Sequence, residues 1–217
     1  MRYLEYRLFP IAADGWRFIL PLLAGGIGLS LLPHWAGKTA GSAFLVLTAF
    51  CLFFFRDFDR PTTIDDNLIY SPADGKILEV SNRTSDSGEK EHVIRIFLSI
   101  FNVHVQRAPL VAQVQKVEYK KGSFLDARSP KAHLENEQNS LTLSSPYGKI
   151  KVTQIAGLIA RRIVCWVKEG DSLKQGERFG LIRFGSQVDL IIPGSAQVLL
   201  QKGDSVRGGE TVVAKWK

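Results

Sequence analysis

The sequence predicts a mainly β protein that carries a pair of apolar helices at its N-terminus. Three observations lead to this prediction. Two uncharged runs lie within the first sixty residues, short runs of alternating apolar and polar residues begin near residue 67, and an eight-residue motif occurs twice. Alternation with a period of two is typical of strands that bury one face. A chain of 217 residues can bury such a core without disulfides.

The N-terminal apolar runs cover residues 18–33 and 43–55. Each is shorter than the roughly 20 residues that cross a bilayer comfortably. Three interpretations therefore compete: a hairpin of two short spans, a helical pair that dips into one leaflet, and a cleaved signal peptide. A second apolar run where a mature secreted protein should begin argues against the signal peptide. We predict a membrane-anchoring segment over residues 1–60, shaped as an apolar helical hairpin.

The charges around this segment predict its orientation. Arginines precede the pair at positions 2, 7 and 17 and follow it at positions 56 and 60, whereas the intervening loop offers only Lys38. Under the positive-inside rule both ends face the cytoplasm. We expect the remaining domain, residues 61–217, to lie at the cytoplasmic face of the cell membrane.

The remainder of the chain reads as strands joined by turns. Residues 83–91 and 126–139 are polar and are predicted to be loops, and long loops of compact β domains often belong to binding sites. Glycine, proline, asparagine and serine separate the alternating runs. The predicted strands are "LIYS", "GKILEV", "HVIRIFLS", "AQVQKVEYK", "SLTLSS" and "GKIKVTQIA".

The repeated motif indicates an architecture. Residues 170–177 read "GDSLKQGE" and residues 203–210 read "GDSVRGGE", with five of the eight positions identical. This pattern resembles the barrel-sandwich modules of biotinyl and lipoyl carrier domains. The lysine hairpin of those carriers is not found here. The repeat thus predicts a barrel-sandwich-like, β-rich domain, and function has to be argued from a site.

Composition restricts the functions that remain. A formal charge of +7 and a pI near 9.5 indicate an anionic partner. No long basic run or nucleic-acid motif is present, which favours lipid head groups over nucleic acid. The four histidines lack metal-ligand spacing, no phosphate-binding glycine loop occurs, and the two cysteines are predicted to be reduced thiols. We expect neither a metal nor a nucleotide cofactor.

A Gly-Ser pair lies between two strand-like runs near the C-terminus. Of the four Gly-Ser pairs, Gly185-Ser186 alone interrupts such a pair of runs and is followed by "QVD" instead of turn residues. Glycine weakens a strand, because it packs nothing and loses more backbone entropy than other residues. The placement predicts a special role for this dipeptide.

The surrounding motif, "RFGSQVDLIIP" at 183–193, resembles the processing site of the short bacterial form of phosphatidylserine decarboxylase. The resemblance covers most of the chain and keeps the order of the family's motifs. It extends to "YSPADGKI" at 70–77, "IFLSIFNVHVQRAP" at 96–109, "ENEQNS" at 135–140 and "QIAGLIARRIV" at 154–164.

The resemblance implies a self-processing enzyme. Its members cut themselves between the glycine and the serine, and the serine becomes a pyruvoyl group, the covalent cofactor. Carried over, residues 1–185 form a large chain and residues 186–217 a small chain, which stay together as a heterodimer. The pyruvoyl ketone forms a Schiff base with the amine of phosphatidylserine, and the product is phosphatidylethanolamine.

The resemblance also implies roles for individual residues. Ser186 is the pyruvoyl precursor, and Asp74 and His104 complete a protease-like Asp-His-Ser arrangement that drives cleavage. Longer members carry a second histidine where this chain has Arg107. Either His104 performs both proton transfers, or another residue such as His133 helps. The alternatives are a turn-capping role for Asp74 and a core position for His104.

Two adjacent arginines, Arg161 and Arg162, are candidates for holding the substrate phosphate or carboxylate, since guanidinium groups bind such oxyanions bidentately. An ordinary solvated pair is the alternative. Two other functions stay open: a pyruvoyl decarboxylase of a soluble amino acid, and a non-enzymatic membrane-attached carrier or scaffold.

Overall fold

The computed structural model describes residues 7–85, 87–158, 162–183 and 186–216. The chain folds as two compact units, Met1–Asp59 and Arg60–Lys217.

The first unit contains the predicted pair of apolar helices. Strands β1 (Arg7–Leu8) and β2 (Ile11–Ala12) form a small hairpin, and helices α1 (Trp16–Ser30) and α2 (Trp35–Phe54) follow. The prediction of a helical pair is confirmed.

The prediction of a loop between the two apolar runs, over residues 34–42, is wrong, because α2 already begins at Trp35. The hydroxyls of Thr39 and Ser42 donate hydrogen bonds to carbonyls four residues earlier, at 3.0 and 2.9 Å. These bonds satisfy the polar side chains inside the helix. Within the described ranges, α2 is the one helix whose 20 residues are long and apolar enough to cross a membrane. The membrane anchor itself stays a prediction.

The second unit is built from strands, with one four-residue helix in its described part. Its elements are β3 (Leu68–Tyr70), β4 (Gly75–Thr84), β5 (Lys90–Leu98), β6 (Val105–Arg107), β7 (Ala112–Lys120), α3 (Ala132–Glu135), β8 (Gln138–Ser145), β9 (Gly148–Ala156), β10 (Ile163–Cys165), β11 (Ser172–Leu173), β12 (Arg178–Ile182), β13 (Ser186–Pro193), β14 (Gln197–Val198), β15 (Ser205–Val206) and β16 (Val212–Lys215). The predicted loop over residues 83–91 is shorter than expected, because β4 and β5 continue as a hairpin on both sides of it.

The strands form one large antiparallel sheet and two small ones. The eight-stranded sheet has the order β11-β7-β8-β9-β13-β5-β4-β15 and curls into a half-barrel. The three-stranded sheets have the orders β10-β12-β6 and β14-β16-β3. This architecture confirms the mainly β prediction.

Strand β13 lies in the middle of the large sheet and separates its two faces. Val188, Leu190 and Ile192 are fully buried in the hydrophobic core. Gln187 and Asp189 alternate with them and therefore point to the opposite face. Strand β13 thus has an apolar core face and an opposite face that carries Gln187 and Asp189.

The two copies of the repeat form the same turn. In the first copy, the Gly170 N–H donates to the Val114 carbonyl, and the Val114 N–H donates to the Asp171 carbonyl. In the second copy, Gly203, Ile77 and Asp204 make the same two hydrogen bonds. The glycines at the seventh position, 176 and 209, have φ near +77° and +75°, a conformation that favours glycine. The turns attach β11 to β7 and β15 to β4, so they close opposite edges of the large sheet.

Candidate active site

Three connections link the large sheet to the sheet β10-β12-β6. The strands β9, β13 and β5 are neighbours in the first sheet, and β10, β12 and β6 are neighbours in the second. The connections β9 to β10 (residues 157–162), β12 to β13 (183–185) and β5 to β6 (99–104) therefore join strands that have the same order in both sheets. The central connection leads directly into Ser186 of the predicted cleavage site.

Ser186 is the first residue of β13 and directly follows the central connection. It pairs with Leu98 of β5 on one side and with Ala156 of β9 on the other. Its side chain is fully buried, and its Oγ has no hydrogen-bond partner among the described residues. An unsatisfied buried hydroxyl costs about 1–3 kcal/mol. The fold thus holds Ser186 in a position that hydrogen bonding does not explain.

Gly185, the other half of the predicted cleavage site, lies outside the described residues. The strands on either side of it nevertheless show what the Gly-Ser pair connects. β12 ends at Ile182 in the three-stranded sheet, whereas β13 begins at Ser186 in the large one. The dipeptide therefore marks a crossover between two sheets and not a break within one strand pair.

His104 lies on the connection next to the cleavage site. Its backbone carbonyl accepts a hydrogen bond from the N–H of Ile182 at 3.3 Å, and its side chain is fully buried. Its Nδ1 lies 2.9 Å from the carbonyl oxygen of Asn102. A carbonyl only accepts, so Nδ1 carries the proton and Nε2 carries the lone pair of the neutral imidazole. The Asn102 carbonyl thus orients the histidine in the tautomer that a general base requires.

Asp74 lies at the same end of the second unit as Ser186. Tyr70 donates to the Pro109 carbonyl and Arg107 donates to the Pro72 carbonyl, at 2.9 and 2.8 Å. Asp74 directly precedes β4, whose Lys76 pairs with Phe97 of β5, one residue before the Leu98 that pairs with Ser186.

The Asp74 carboxylate is held by two groups. Arg60 binds both of its oxygens, with Nη2 2.8 Å from Oδ2, and the N–H of Gly208 donates to Oδ1 at 2.8 Å. The side chains of this ion pair are only 8% and 10% exposed. Arg60 and Gly208 therefore set the orientation of Asp74, a feature that the sequence did not reveal.

The predicted arginine pair lies on the third connection. Arg161 is outside the described residues. Arg162 is exposed, and its carbonyl accepts a hydrogen bond from the N–H of Arg183 at 3.3 Å, just before the cleavage site. The structure thus brings Ser186, His104, Asp74 and Arg162 to one end of the unit.

Arg107 occupies the position of the second histidine of longer members, and His133 is the alternative proton carrier. The side chain of Arg107 is buried, and its Nη1 donates to the Gly176 carbonyl at 3.1 Å. His133 lies on α3 and lines a cavity together with Arg95 and Asp189. Because Asp189 points away from the core face that Ser186 occupies, His133 is separated from Ser186 by the sheet.

A charged row crosses the outer face of the sheet, and sequence reasoning missed it. Asp189 pairs with Arg95 across β13 and β5, and Arg95 pairs with Glu79 across β5 and β4. Arg95 makes ion pairs with both carboxylates, and Gln187 donates to Asp189 at 2.5 Å. Burial raises the pKa of Asp189 to about 6, although Gln187 and Arg95 act in the other direction.

This raised pKa makes folding stability depend on pH. The folded protein holds the Asp189 proton more tightly than the unfolded chain, so stability falls as pH rises between about 4 and 6. The difference from the ordinary value of 3.8 corresponds to on the order of 3 kcal/mol. We expect D189N to lack this decline. Denaturant titrations of both proteins across this pH range measure it, and parallel stability curves would contradict the expectation.

Comparison with known families assigns the class and then the family. Residues 47–214 match the family described as phosphatidylserine decarboxylase. The match includes more than half of the 217 residues and contains all four site residues named above. It places the protein among the carboxy-lyases. More particularly, the chain belongs to the phosphatidylserine decarboxylase family, which acts on phosphatidylserine in phospholipid biosynthesis.

Proposed function

We propose that the chain cuts itself between Gly185 and Ser186, and that the pyruvoyl group formed from Ser186 decarboxylates phosphatidylserine to phosphatidylethanolamine. The observation that carries this proposal is the buried hydroxyl of Ser186, at the start of β13, which has no hydrogen-bond partner within the described part of the chain. The family match supports the substrate and the reaction.

Self-cleavage uses groups that the chain already contains. The Ser186 hydroxyl attacks the Gly185 carbonyl, the peptide C–N bond breaks, and an ester forms while the Ser186 nitrogen gains a proton. Loss of the Ser186 α-proton then expels the Gly185 carboxylate and leaves dehydroalanine. Water converts this residue to a pyruvoyl group and releases ammonia. His104 is suited to accept the hydroxyl proton at Nε2, because the Asn102 carbonyl fixes its Nδ1–H.

The fold supports a cut at this place, because the strands on each side of it have their own partners. β12 stays paired with β6 and β10, and β13 stays paired with β5 and β9. The small chain, residues 186–217, also contributes β15 to β4 and β16 to β3. These pairings favour a heterodimer of large and small chains after cleavage.

A pyruvoyl group at this position would supply a ketone that reacts with the substrate amine and would accept the electrons released when carbon dioxide leaves. The site fits such a group, since the Ser186 hydroxyl is buried and has no hydrogen-bond partner among the residues that the structure describes, so a ketone can take its place. His104 is proposed to return a proton to the carbon that lost carbon dioxide. Arg161 and Arg162 are proposed to bind the phosphate or carboxylate.

Asp74 is proposed to stabilise His104 while the imidazole carries the serine proton. D74N removes this charge but retains an oxygen that accepts from Gly208, and we expect self-cleavage to slow by about tenfold or more. R60Q is the matched control, because it breaks the same buried ion pair and leaves the Asp74 charge in place.

Each of these two variants is expected to lower the free energy of unfolding by about 3–5 kcal/mol. The fraction of cut chain is followed over time on gels, with unfolding measured in parallel. Equal slowing in both variants would show that cleavage depends on the ion pair and not on the Asp74 charge alone, which would contradict the proposed role of that charge.

Arg162 is exposed and lies beside the central connection, so it can meet a substrate oxyanion without a rearrangement of the core. We expect R162A to raise the KM for phosphatidylserine about tenfold while kcat changes little. R83A, which removes an arginine from the other end of β4, is the control. An unchanged KM in R162A would remove this residue from the binding site.

The proposed membrane location rests on the apolar helical pair, with the β-rich unit at the cytoplasmic face. The length and composition of α2 and the lipid substrate of the family support association with the membrane. The exposed Val46 and Leu47 on α2 are compatible with a lipid environment.

An assay of substrate choice tests the proposed function. The full-length protein is incubated in mixed micelles with phosphatidylserine labelled at its carboxyl carbon, and separately with labelled free serine. The proposal predicts labelled carbon dioxide and phosphatidylethanolamine from the lipid only. It also predicts that cyanoborohydride inactivates the protein in the presence of phosphatidylserine. Equal turnover of serine would favour a decarboxylase of soluble amino acids. A cut chain that turns over neither substrate would contradict the proposed decarboxylase activity.

A further inference from the structure

Two connections beside Ser186 expose large apolar side chains. β5 and β9 both run antiparallel to β13, so both leave the large sheet at the edge where Ser186 begins. Phe101 follows Leu98 by three residues and is 67% exposed, and Leu158 follows Ala156 by two residues and is 64% exposed. We call Phe101 and Leu158 the apolar rim.

Buried residues lie close to both rim residues in the chain. Leu98 and Val103 near Phe101 are 0% and 5% exposed, and Ala156 near Leu158 is 0% exposed. Removing the two rim side chains from water would be favourable, and both lie near the strand end where Ser186 begins. This placement indicates a surface that is covered when the protein works.

The charges around the apolar rim indicate what covers it. Arg162 is exposed on the same connection as Leu158. The exposed Arg128, which also forms an ion pair with Asp126 at 2.7 Å, lies with its guanidinium carbon 5.7 Å from the ring of Phe97, which precedes Leu98. Apolar tips with cationic neighbours match the boundary between acyl chains and anionic head groups. A second copy of this chain would bring the same positive groups together, which disfavours a protein partner of that kind.

We propose that the apolar rim inserts into the lipid surface and holds the mouth of the Ser186 site against a bilayer that contains anionic lipid. The proposal rests on the function proposed above, because it gives the site access to a phosphatidylserine head group whose acyl chains stay in the membrane. The rim is a second contact with the bilayer, carried by the β-rich unit and independent of α1 and α2.

The test measures how deeply the rim lies in the membrane. An environment-sensitive fluorophore is attached to F101C or to L158C in the full-length chain, with both natural cysteines replaced by alanine. The protein is reconstituted in vesicles of phosphatidylcholine and phosphatidylserine, with and without doxyl-labelled phosphatidylcholine as a quencher. The matched control is S195C, an exposed position after the other end of β13, roughly 23 Å along the strand from Ser186.

We expect quenching at positions 101 and 158 to be at least about threefold stronger than at position 195. Equal quenching at all three positions would overturn the proposal. So would a blue-shifted emission without lipid quenching, which would show that another protein surface covers the rim. The two labelled residues lie on different connections, so a local distortion at one leaves the other as an independent test.

The outcome is distinguishable from that of the decarboxylation assay, because quenching requires no turnover. Quenching without decarboxylation would support insertion of the rim into the membrane and would contradict the proposed decarboxylase activity. A kinetic measurement then connects the two: F101S/L158S is expected to lower turnover of vesicle phosphatidylserine about tenfold, and F101L/L158I is expected to restore it. Failure of the conservative pair to restore turnover would contradict a role based on apolar character.

Discussion

Replacement of Ser186 by alanine is expected to leave one intact chain of 217 residues that has no reactive carbonyl and no measurable decarboxylase activity. The reason is chemical: without the hydroxyl there is no ester, no elimination and no pyruvoyl group. The methyl group of alanine is smaller than the serine side chain, and the Oγ makes no hydrogen bond to any described residue, so we expect the fold to be preserved. Gels show whether the chain is cut, and a carbonyl-reactive hydrazide detects the cofactor.

The matched control for this experiment is S195A. Ser195 also follows a glycine, but it lies in the exposed turn after the far end of β13. This variant is expected to be cut and to decarboxylate like the unmodified chain. Cleavage of S186A at the usual rate would contradict the assignment of the cofactor, whatever the activity.

Replacement of His104 by alanine is expected to slow self-cleavage by about 10²–10⁴-fold, the usual contribution of a general base. Its Nδ1 is fixed by the Asn102 carbonyl, and its connection lies directly beside the central one. H92A is the control, because His92 pairs with Asn82 in the hairpin of β4 and β5, away from Ser186. Time courses of cleavage for both variants provide the measurement.

Prolonged incubation separates the two possible tasks of His104. Once part of the H104A sample has been cut, turnover is expressed per pyruvoyl-containing chain. We expect this normalised rate to be reduced as well, because Arg107 is held by the Gly176 carbonyl and His133 lies across the sheet. A normal rate per cut chain would restrict His104 to cleavage, and normal cleavage together with normal turnover would remove it from the site.

Local sequence patterns predicted much of the β-rich unit, because alternation reports which side of a strand is buried. The runs at 112–120 and 148–156 match β7 and β9 residue for residue. The repeat predicted the paired turns, since a left-handed conformation at residues 176 and 209 requires glycine-like freedom. The hydropathy pattern failed at the start of α2. The polar residues there predicted a loop, whereas in the structure the Thr39 and Ser42 hydroxyls bond to carbonyls of the helix itself.

The remaining features depend on residues that are far apart in the chain. Ser186 gains its place from Leu98 and Ala156, and no local signal shows that β12 and β13 belong to different sheets. The ion pair of Arg60 with Asp74, and the charged row that includes Asp189, likewise arise only when strands align. Sequence therefore proposes which residues carry the chemistry, whereas the fold determines how they are held.

The most direct test of the proposed chemistry is the intact mass of the freshly purified, unmodified chain. The account predicts two chains, one ending at Gly185 and one beginning at position 186 with a pyruvoyl group in place of serine. A small chain that begins with an unaltered serine would show ordinary proteolysis and would contradict the mechanism. A single uncut chain that decarboxylates phosphatidylserine would contradict it as well, because activity would then need no cleavage at Ser186.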